Sequence, residues 1–251
     1  MIHTQIYIYI YIYYSTVQYN DEGQPINVRM ICNIMTNASI PDVVDRLSNV
    51  MELFVKKEGM TKCVQSSLQE NLIDLVSNTS FSSKTCDLNC NSTRQWIYQS
   101  CNEFGFFQTT TASSDTNVFH FPEVTYDIVG KALCERAFLN SPWGNNYKGP
   151  NTEFTNVFYG NRNIASTNTT LPGGNVDPWH SLGIANVSDP FYNSCDGNKC
   201  NKQLLHSSDE VVFIDGTGHC RDMFASNSTI DTEAIQWAHD KISENVKMYL
   251  S

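Results

Sequence analysis

Two glycine-marked loops hold the residues of this chain best suited to proton transfer. One reads Gly173-Gly174-Asn175-Val176-Asp177-Pro178-Trp179-His180, the other Ile214-Asp215-Gly216-Thr217-Gly218-His219-Cys220. An aspartate followed 42 residues later, close to the C-terminus, by a histidine is the chain order of a triad whose nucleophile comes first. In such chemistry the carboxylate holds the imidazole in one tautomer and stabilises the imidazolium that forms. Asp177 and His219 are therefore the candidate catalytic residues. His180 and His206 read as surface residues, His120 and His239 show no partner in the pattern, and Glu103 reads as a structural hydrogen-bonding group.

Both loops must sit at strand ends on one side of a sheet, where catalytic groups of α/β folds gather. Val211 to Ile214 is a β-branched run suited to a strand buried on both faces. Phe154 to Tyr159 and Ile164 to Leu171 read as further extended stretches. Helical spacing runs from Pro41 through Val43, Val44, Leu47, Val50, Met51 and Phe54. A second helix is expected from about Thr125 to Phe138, with Ile128, Leu133 and Cys134 facing inward. A closing helix from about Asp231 to Leu250 would bury Ile235, Ala238, Ile242, Val246 and Tyr249. Weaker helical signals (Leu68, Leu72, Leu75) lie between Cys63 and Ser92. Strands alternating with helices indicate an α/β architecture, and the cysteine-linked helices before it read as a cap or insertion.

The composition removes several classes of function. With 16 basic and 26 acidic residues the net charge is -10, which argues against binding a phosphate backbone. At 41% hydrophobic and 17% charged the chain is that of a folded globule, and no run approaches the ~20 apolar residues of a membrane helix. The glycine pairs lack a helix-leading phosphate-loop pattern, so no nucleotide cofactor is expected.

Nine cysteines accompany N-x-[ST] sequons at Asn37, Asn78, Asn91, Asn168, Asn186 and Asn227. Together they indicate an oxidising secretory compartment. Cys86-x3-Cys90 and Cys195-x4-Cys200 are spaced loosely like metal ligands, but no second ligand pair accompanies them and no metal is expected. Cys195 with Cys200 would close an inserted loop, and Cys32 is expected to join Cys86 or Cys90. The odd cysteine count leaves a thiol over, expected to be Cys63.

The segment Ile6 to Tyr14, IYIYIYIYY, alternates with period 2 but offers two apolar faces. It has neither the basic start nor the cleavage site of a signal peptide. Alternating Ile and Tyr are what an in-frame AT tract encodes, so residues 1–16 read as a simple-sequence segment. An upstream portion, with its export signal, is expected to be missing.

The stretch Arg94-Gln95-Trp96-Ile97-Tyr98-Gln99-Ser100-Cys101-Asn102-Glu103-Phe104-Gly105-Phe106-Phe107-Gln108 resembles the R-x-W-x-Y-Q-x-C-x-E-x-G-F-F-Q signature of the lysosomal prolyl carboxypeptidase family, which includes dipeptidyl-peptidase II and thymus-specific serine protease. Val17-Gln18-Tyr19-Asn20, Tyr159-Gly160, Asp177-Pro178-Trp179 and Gly216-Thr217-Gly218-His219-Cys220-Arg221-Asp222-Met223 follow the family's pattern in order. The resemblance implies a serine exopeptidase with an α/β-hydrolase domain and an inserted helical cap. Residues 17–92 would then be part of the cap and 93–251 the C-terminal part of the hydrolase domain. It further implies that Asp177 and His219 are triad members, that Trp179 and Phe106 line a proline-accepting pocket, and that Cys101 bridges Cys134. The expected partners are a peptide substrate and a second copy in a homodimer, and the expected location is the lysosome or the outside of the cell.

Three departures qualify the likeness. No G-x-S-x-G occurs, so the nucleophile and oxyanion donors, without which acyl transfer cannot run, are expected upstream. Pro172 replaces a ladder donor before the aspartate and is expected to loosen that strand end. An insert from about Ala185 to Leu205 lengthens the interval to His219. Two functions follow from this: a serine exopeptidase represented by part of its chain, or a non-catalytic secreted glycoprotein that binds through cap and pocket.

Overall fold

The computed structural model describes residues 15–20, 25–57, 73–79, 92–110, 124–143, 146–162, 164–184, 195–196, 199–200 and 206–251. The Ile-Tyr repeat, Cys63, Cys86, Cys90, Asn91, His120 and Asn186 lie outside these. No helix among the described residues is long and apolar enough to cross a membrane. The chain is a mixed α/β protein of two compact units, Gln65–Asn161 and Tyr11–Val64 with Arg162–Ser251.

In the second unit, helices α1 (Val28–Met35) and α2 (Val43–Lys57) precede the sheet. Asn27 caps α1 by accepting the Met30 N–H at 3.0 Å, and Asp42 accepts the Val44 N–H at 2.8 Å. Pro41 consequently stands outside α2, and Val43 and Val44 on its first turn are exposed, while Val50 and Phe54 are buried as their spacing predicts. Cys32 is a correction. Its thiol is free and exposed on α1, whose buried residue is Ile31, so the expected bridge to Cys86 or Cys90 is not made.

Strands β1 (Thr170–Gly174) and β4 (Glu210–Ile214) pair in parallel, with Thr170 opposite Glu210 and Gly174 opposite Ile214. Pro172 does not loosen the pairing. The Glu210 N–H donates to Thr169 O and the Asn175 N–H to Ile214 O, so odd-numbered residues of this strand bond to β4. Pro172 falls between them, where its missing N–H costs no bond to β4. Val212 and Ile214 are fully buried against Ile235 and Ala238, whereas Val211 and Phe213 are only half-buried, so one face of β4 is closed and the other partly open. In the sequence between β1 and β4, and as a separate sheet, β2 (Cys195–Asp196) and β3 (Lys199–Cys200) run antiparallel with Cys195 opposite Cys200. The expected bridge between those side chains lies outside what the structure describes.

The cover of β4 is the last helix, Glu233–Tyr249, capped by Thr232 Oγ1. Its inner face differs from the expected one at a single turn: Val246 is exposed and Asn245 is buried. The reason is polar, because Asn245 Nδ2 donates to Thr170 Oγ1 at 3.0 Å, and Tyr249 Oη meets the same hydroxyl at 3.2 Å.

The other unit is helical in its described residues. Its core gathers Ile73, Val76, Cys101, Leu133, Cys134, Ala137, Phe138 and Tyr147. A disulfide joins Cys101 to Cys134, as the resemblance implies. Cys101 lies within one π-helical turn, Ser100–Phe104, and Cys134 two residues beyond another, Asp127–Ala132. The second turn explains why Val129 is buried and Ile128 is exposed: a π turn spaces contacts by five rather than four residues and rotates the inner face. Phe154 to Tyr159, expected to be extended, lie instead in a helix, Thr152–Tyr159. Asn151 caps its start through the Phe154 N–H at 3.3 Å, and Gly160 closes it at φ +85°. These flanking signals overcome the strand preference of Val157, Phe158 and Tyr159.

Candidate active site

The site is built on the ends of β1 and β4. Gly174 ends β1, and a Cβ there would stand 2.1 Å from the Thr217 carbonyl oxygen, so only glycine lets the two loops approach this closely. The loops are then stitched together. Asn175 donates its backbone N–H to Ile214 O (3.1 Å) and Val176 donates to Thr217 O (3.2 Å). The Asn175 side chain accepts the Gly216 N–H at 2.7 Å and donates to Asp215 Oδ1 at 2.5 Å. Gly216, at φ +65°, supplies the left-handed turn that carries the chain from β4 toward His219.

Asp177 caps a short 3-10 helix, Pro178–Leu182, through Oδ1, which accepts the Trp179 N–H at 2.8 Å. Proline in that helix's first turn lacks only a donor that would be idle there. With Oδ1 so fixed, Oδ2 stands 2.7 Å from His219 Nδ1. A carboxylate only accepts, so the contact places the shared proton on Nδ1 and leaves Nε2 of the neutral ring with its lone pair. Asp177 is 8% exposed and the His219 side chain 27%, which shields the carboxylate and leaves the base reachable.

His219 is held from a further direction that its sequence neighbourhood does not reveal. Its backbone N–H donates to Gln18 O at 2.7 Å. Its ring meets that of Tyr19 edge-on, at 5.8 Å between centroids, and lies 6.0 Å from that of Trp179. The signal for Gln18 and Tyr19 is the Val17-to-Asn20 motif, whose residue types do not point to a contact with His219. Cys220, beside the histidine, has a free thiol in the left-handed region (φ 56°). Burial, then the negative charges of Asp222 and Asp177, push its pKa above the ordinary thiol value.

The remaining candidates fall as follows. Trp179 is half-buried beside the imidazole. Phe106 belongs to the Gln65–Asn161 unit, where its ring lies 5.4 Å from Phe104 and 6.2 Å from Trp96. His180 is exposed and its Nδ1 meets the Asp177 main-chain oxygen, so it does not compete for the carboxylate. His239, without a partner in the sequence pattern, contacts Ser226, Asp222 and Asp231. Of the sequon residues, Asn37, Asn78, Asn168 and Asn227 are exposed.

The site is thus a carboxylate in hydrogen-bonding contact with an imidazole, and the chain that carries it is similar to known proteins. The chain is 26% identical over 241 residues to mouse thymus-specific serine protease and 25% identical over 241 residues to the human protein of that name, covering 94% of this chain each time. It is 28% identical over 249 residues, 95% of the chain, to a Caenorhabditis elegans protein provisionally named a serine protease. In each case the match covers 41% of the relative, so the chain spans about two fifths of the length of the curated relatives it matches. The family model described as Serine carboxypeptidase S28 matches residues 3–242. With nearly its whole length matched by that model, the chain belongs to the serine carboxypeptidase S28 family.

Proposed function

We propose that this chain supplies the acid and base members of a serine exopeptidase that cleaves peptides next to proline or another small residue. The observation that carries the reading is the 2.7 Å contact between Asp177 Oδ2 and His219 Nδ1, with the second carboxylate oxygen already occupied by the Trp179 N–H. A serine Oγ, contributed in this reading from outside these 251 residues, attacks the scissile carbonyl and gives its proton to Nε2 of His219. Asp177 stabilises the imidazolium, which then protonates the leaving amine. Water repeats the sequence in reverse and releases the acyl group. Trp179 beside the imidazole offers an apolar face on which a pyrrolidine ring can lie without a polar partner.

Passage through the secretory pathway belongs to the same proposal. The Cys101–Cys134 bridge and the exposed sequon residues Asn37, Asn78 and Asn227 support it.

The test is turnover of a fluorogenic prolyl peptide by the full-length gene product containing these residues. Asp177→Asn should lower kcat by about 10⁴-fold with the fold intact, through loss of the correct tautomer. His219→Ala should lower it at least as far. Undiminished turnover in His219→Ala overturns the proposal. Peptide binding with neither turnover nor fluorophosphonate labelling also overturns it, in favour of a non-catalytic glycoprotein.

A further inference from the structure

Immediately after His219 the chain makes a tight reversal. Cys220 adopts φ 56°, Arg221–Met223 forms one 3-10 turn, and the segment then runs to Asp231, directly before the cap of the last helix. This reversal contains a buried charged cluster that the proton-transfer chemistry does not use. The Arg221 side chain is 9% exposed and the Asp231 side chain 0%. Arg221 Nη2 donates to Asp231 Oδ1, and Asp231 Oδ2 accepts the Asn227 N–H at 2.6 Å. His239, from the second turn of the helix, sets Nε2 3.1 Å from the Asp222 carbonyl oxygen. Its Nδ1 lies 2.8 Å from Ser226 Oγ and 3.9 Å from Asp231 Oδ2. Gln236 Nε2 donates to the Asp231 carbonyl at 2.9 Å.

We infer that Asp231 is a positioning residue for His219. It acts through Arg221, two residues along the chain from the histidine, and fastens the reversal to the helix that covers β4. The inference rests on the reading of Asp177 and His219 as a working pair. Burying a full ion pair carries a desolvation cost that apolar packing would avoid, so the pair earns little as a stabilising device. What it supplies is direction: a planar guanidinium held by a buried carboxylate fixes the turn around Arg221. The other side of His219 is fixed by the Gln18 carbonyl and by the approach of Gly174 to Thr217. With main chain held on both sides, the Cα–Cβ bond of His219 is aimed so that Nδ1 meets Asp177. His239 adds a second fastening at the Asp222 carbonyl.

The test reads the proton shared by His219 Nδ1 and Asp177 in the ¹⁵N-histidine-labelled full-length gene product, by its deshielded resonance and its exchange with solvent. The signal should be present in the parent and absent in Asp177→Asn. It should also be lost in Asp231→Asn, and exchange faster in His239→Gln, which leaves the ion pair in place. Val50→Ala, which weakens the same unit away from the reversal, should keep it. A signal unchanged in both Asp231→Asn and His239→Gln overturns the inference. So does its loss in Val50→Ala, which would make the effect one of general stability. Should Asp231→Asn fail to fold by circular dichroism, His239→Gln decides alone, and an unchanged signal there overturns the inference. A signal that survives Asp177→Asn instead removes the pair itself, a separate failure.

Discussion

Gly174 passes so close to Thr217 that a Cβ on the glycine would lie 2.1 Å from the threonine carbonyl oxygen and 2.7 Å from its carbon. The atoms in the way are main chain and cannot rotate aside. Gly174 is where the Asp177 loop leaves β1, and Thr217 lies on the path from β4 to His219. The spacing of Asp177 and His219 is thus set by a side chain that is missing.

Gly174→Ala should therefore damage both stability and chemistry. Overpacking against backbone costs about 1–3 kcal/mol, read as a lowered denaturant midpoint, and the displaced Thr217 loop should break the contact between His219 and Asp177. Gly216→Ala is the comparison: it meets nothing within 4 Å, and its cost is the strain of φ +65° alone. A Gly174→Ala protein with parental stability and an intact Asp177–His219 proton signal would refute this account.

The Tyr147 hydroxyl donates to the Cys101 carbonyl at 2.8 Å in the core of the helical unit. Tyr147→Phe leaves that carbonyl unpaired and should cost about 1–3 kcal/mol, measured by denaturant unfolding. Burial, together with Tyr126 and Glu135, pushes the Tyr147 pKa far above its ordinary value. A raised folded-state pKa means its stabilising contribution is whole below the ordinary tyrosine range and is lost as pH rises above it. Alkaline ultraviolet titration should show Tyr147 ionising only with unfolding, and Tyr147→Phe should reduce the alkaline loss of stability.

The Cys101–Cys134 bridge spans a sequence separation of 33. Replacing both cysteines by alanine should cost roughly 3–4 kcal/mol through the larger entropy of the unfolded chain. Parallel unfolding curves of parent and double variant check this; coincident midpoints would show that the packed π-helical turns hold the unit without it.

The Cys220 thiol should resist ionisation. Because its pKa is raised, its alkylation by iodoacetamide should remain slow at a pH where an ordinary thiol already reacts, and its contribution to stability should fall as pH climbs through that raised value. Asp222→Asn removes one of the causes and should speed alkylation of Cys220 while leaving Cys32 unchanged, as peptide mass mapping would show. Equal rates at Cys220 in parent and variant would contradict the assignment of cause.

Where local chemistry and global packing agree, the elements were legible. Val50 and Phe54 face inward because helical spacing and burial coincide, and Val211 to Ile214 forms a strand because its β-branched run is bounded by turn residues. Phe154 to Tyr159 misled because these residues, which favour strands, lie between Asn151 and Gly160, whose capping positions determine the outcome. Cys32 misled because cysteine spacing says nothing of which helix face a thiol occupies.

Asp177 and His219 were legible as a pair because triad chemistry constrains residue type, order and the glycine-rich loops that must bear them. Their partners were not. The Gln18 carbonyl reaches His219 across some 200 residues of chain, and Asp231 gathers Arg221 and His239 from a loop and a helix. A main-chain oxygen is identical at every position of a sequence, and a buried carboxylate is written like an exposed one. Residue type and spacing determined which groups can exchange a proton. Only the tertiary structure decided what holds them, because a backbone contact between distant segments depends on how strands and helices pack and on no property of the residues that make it.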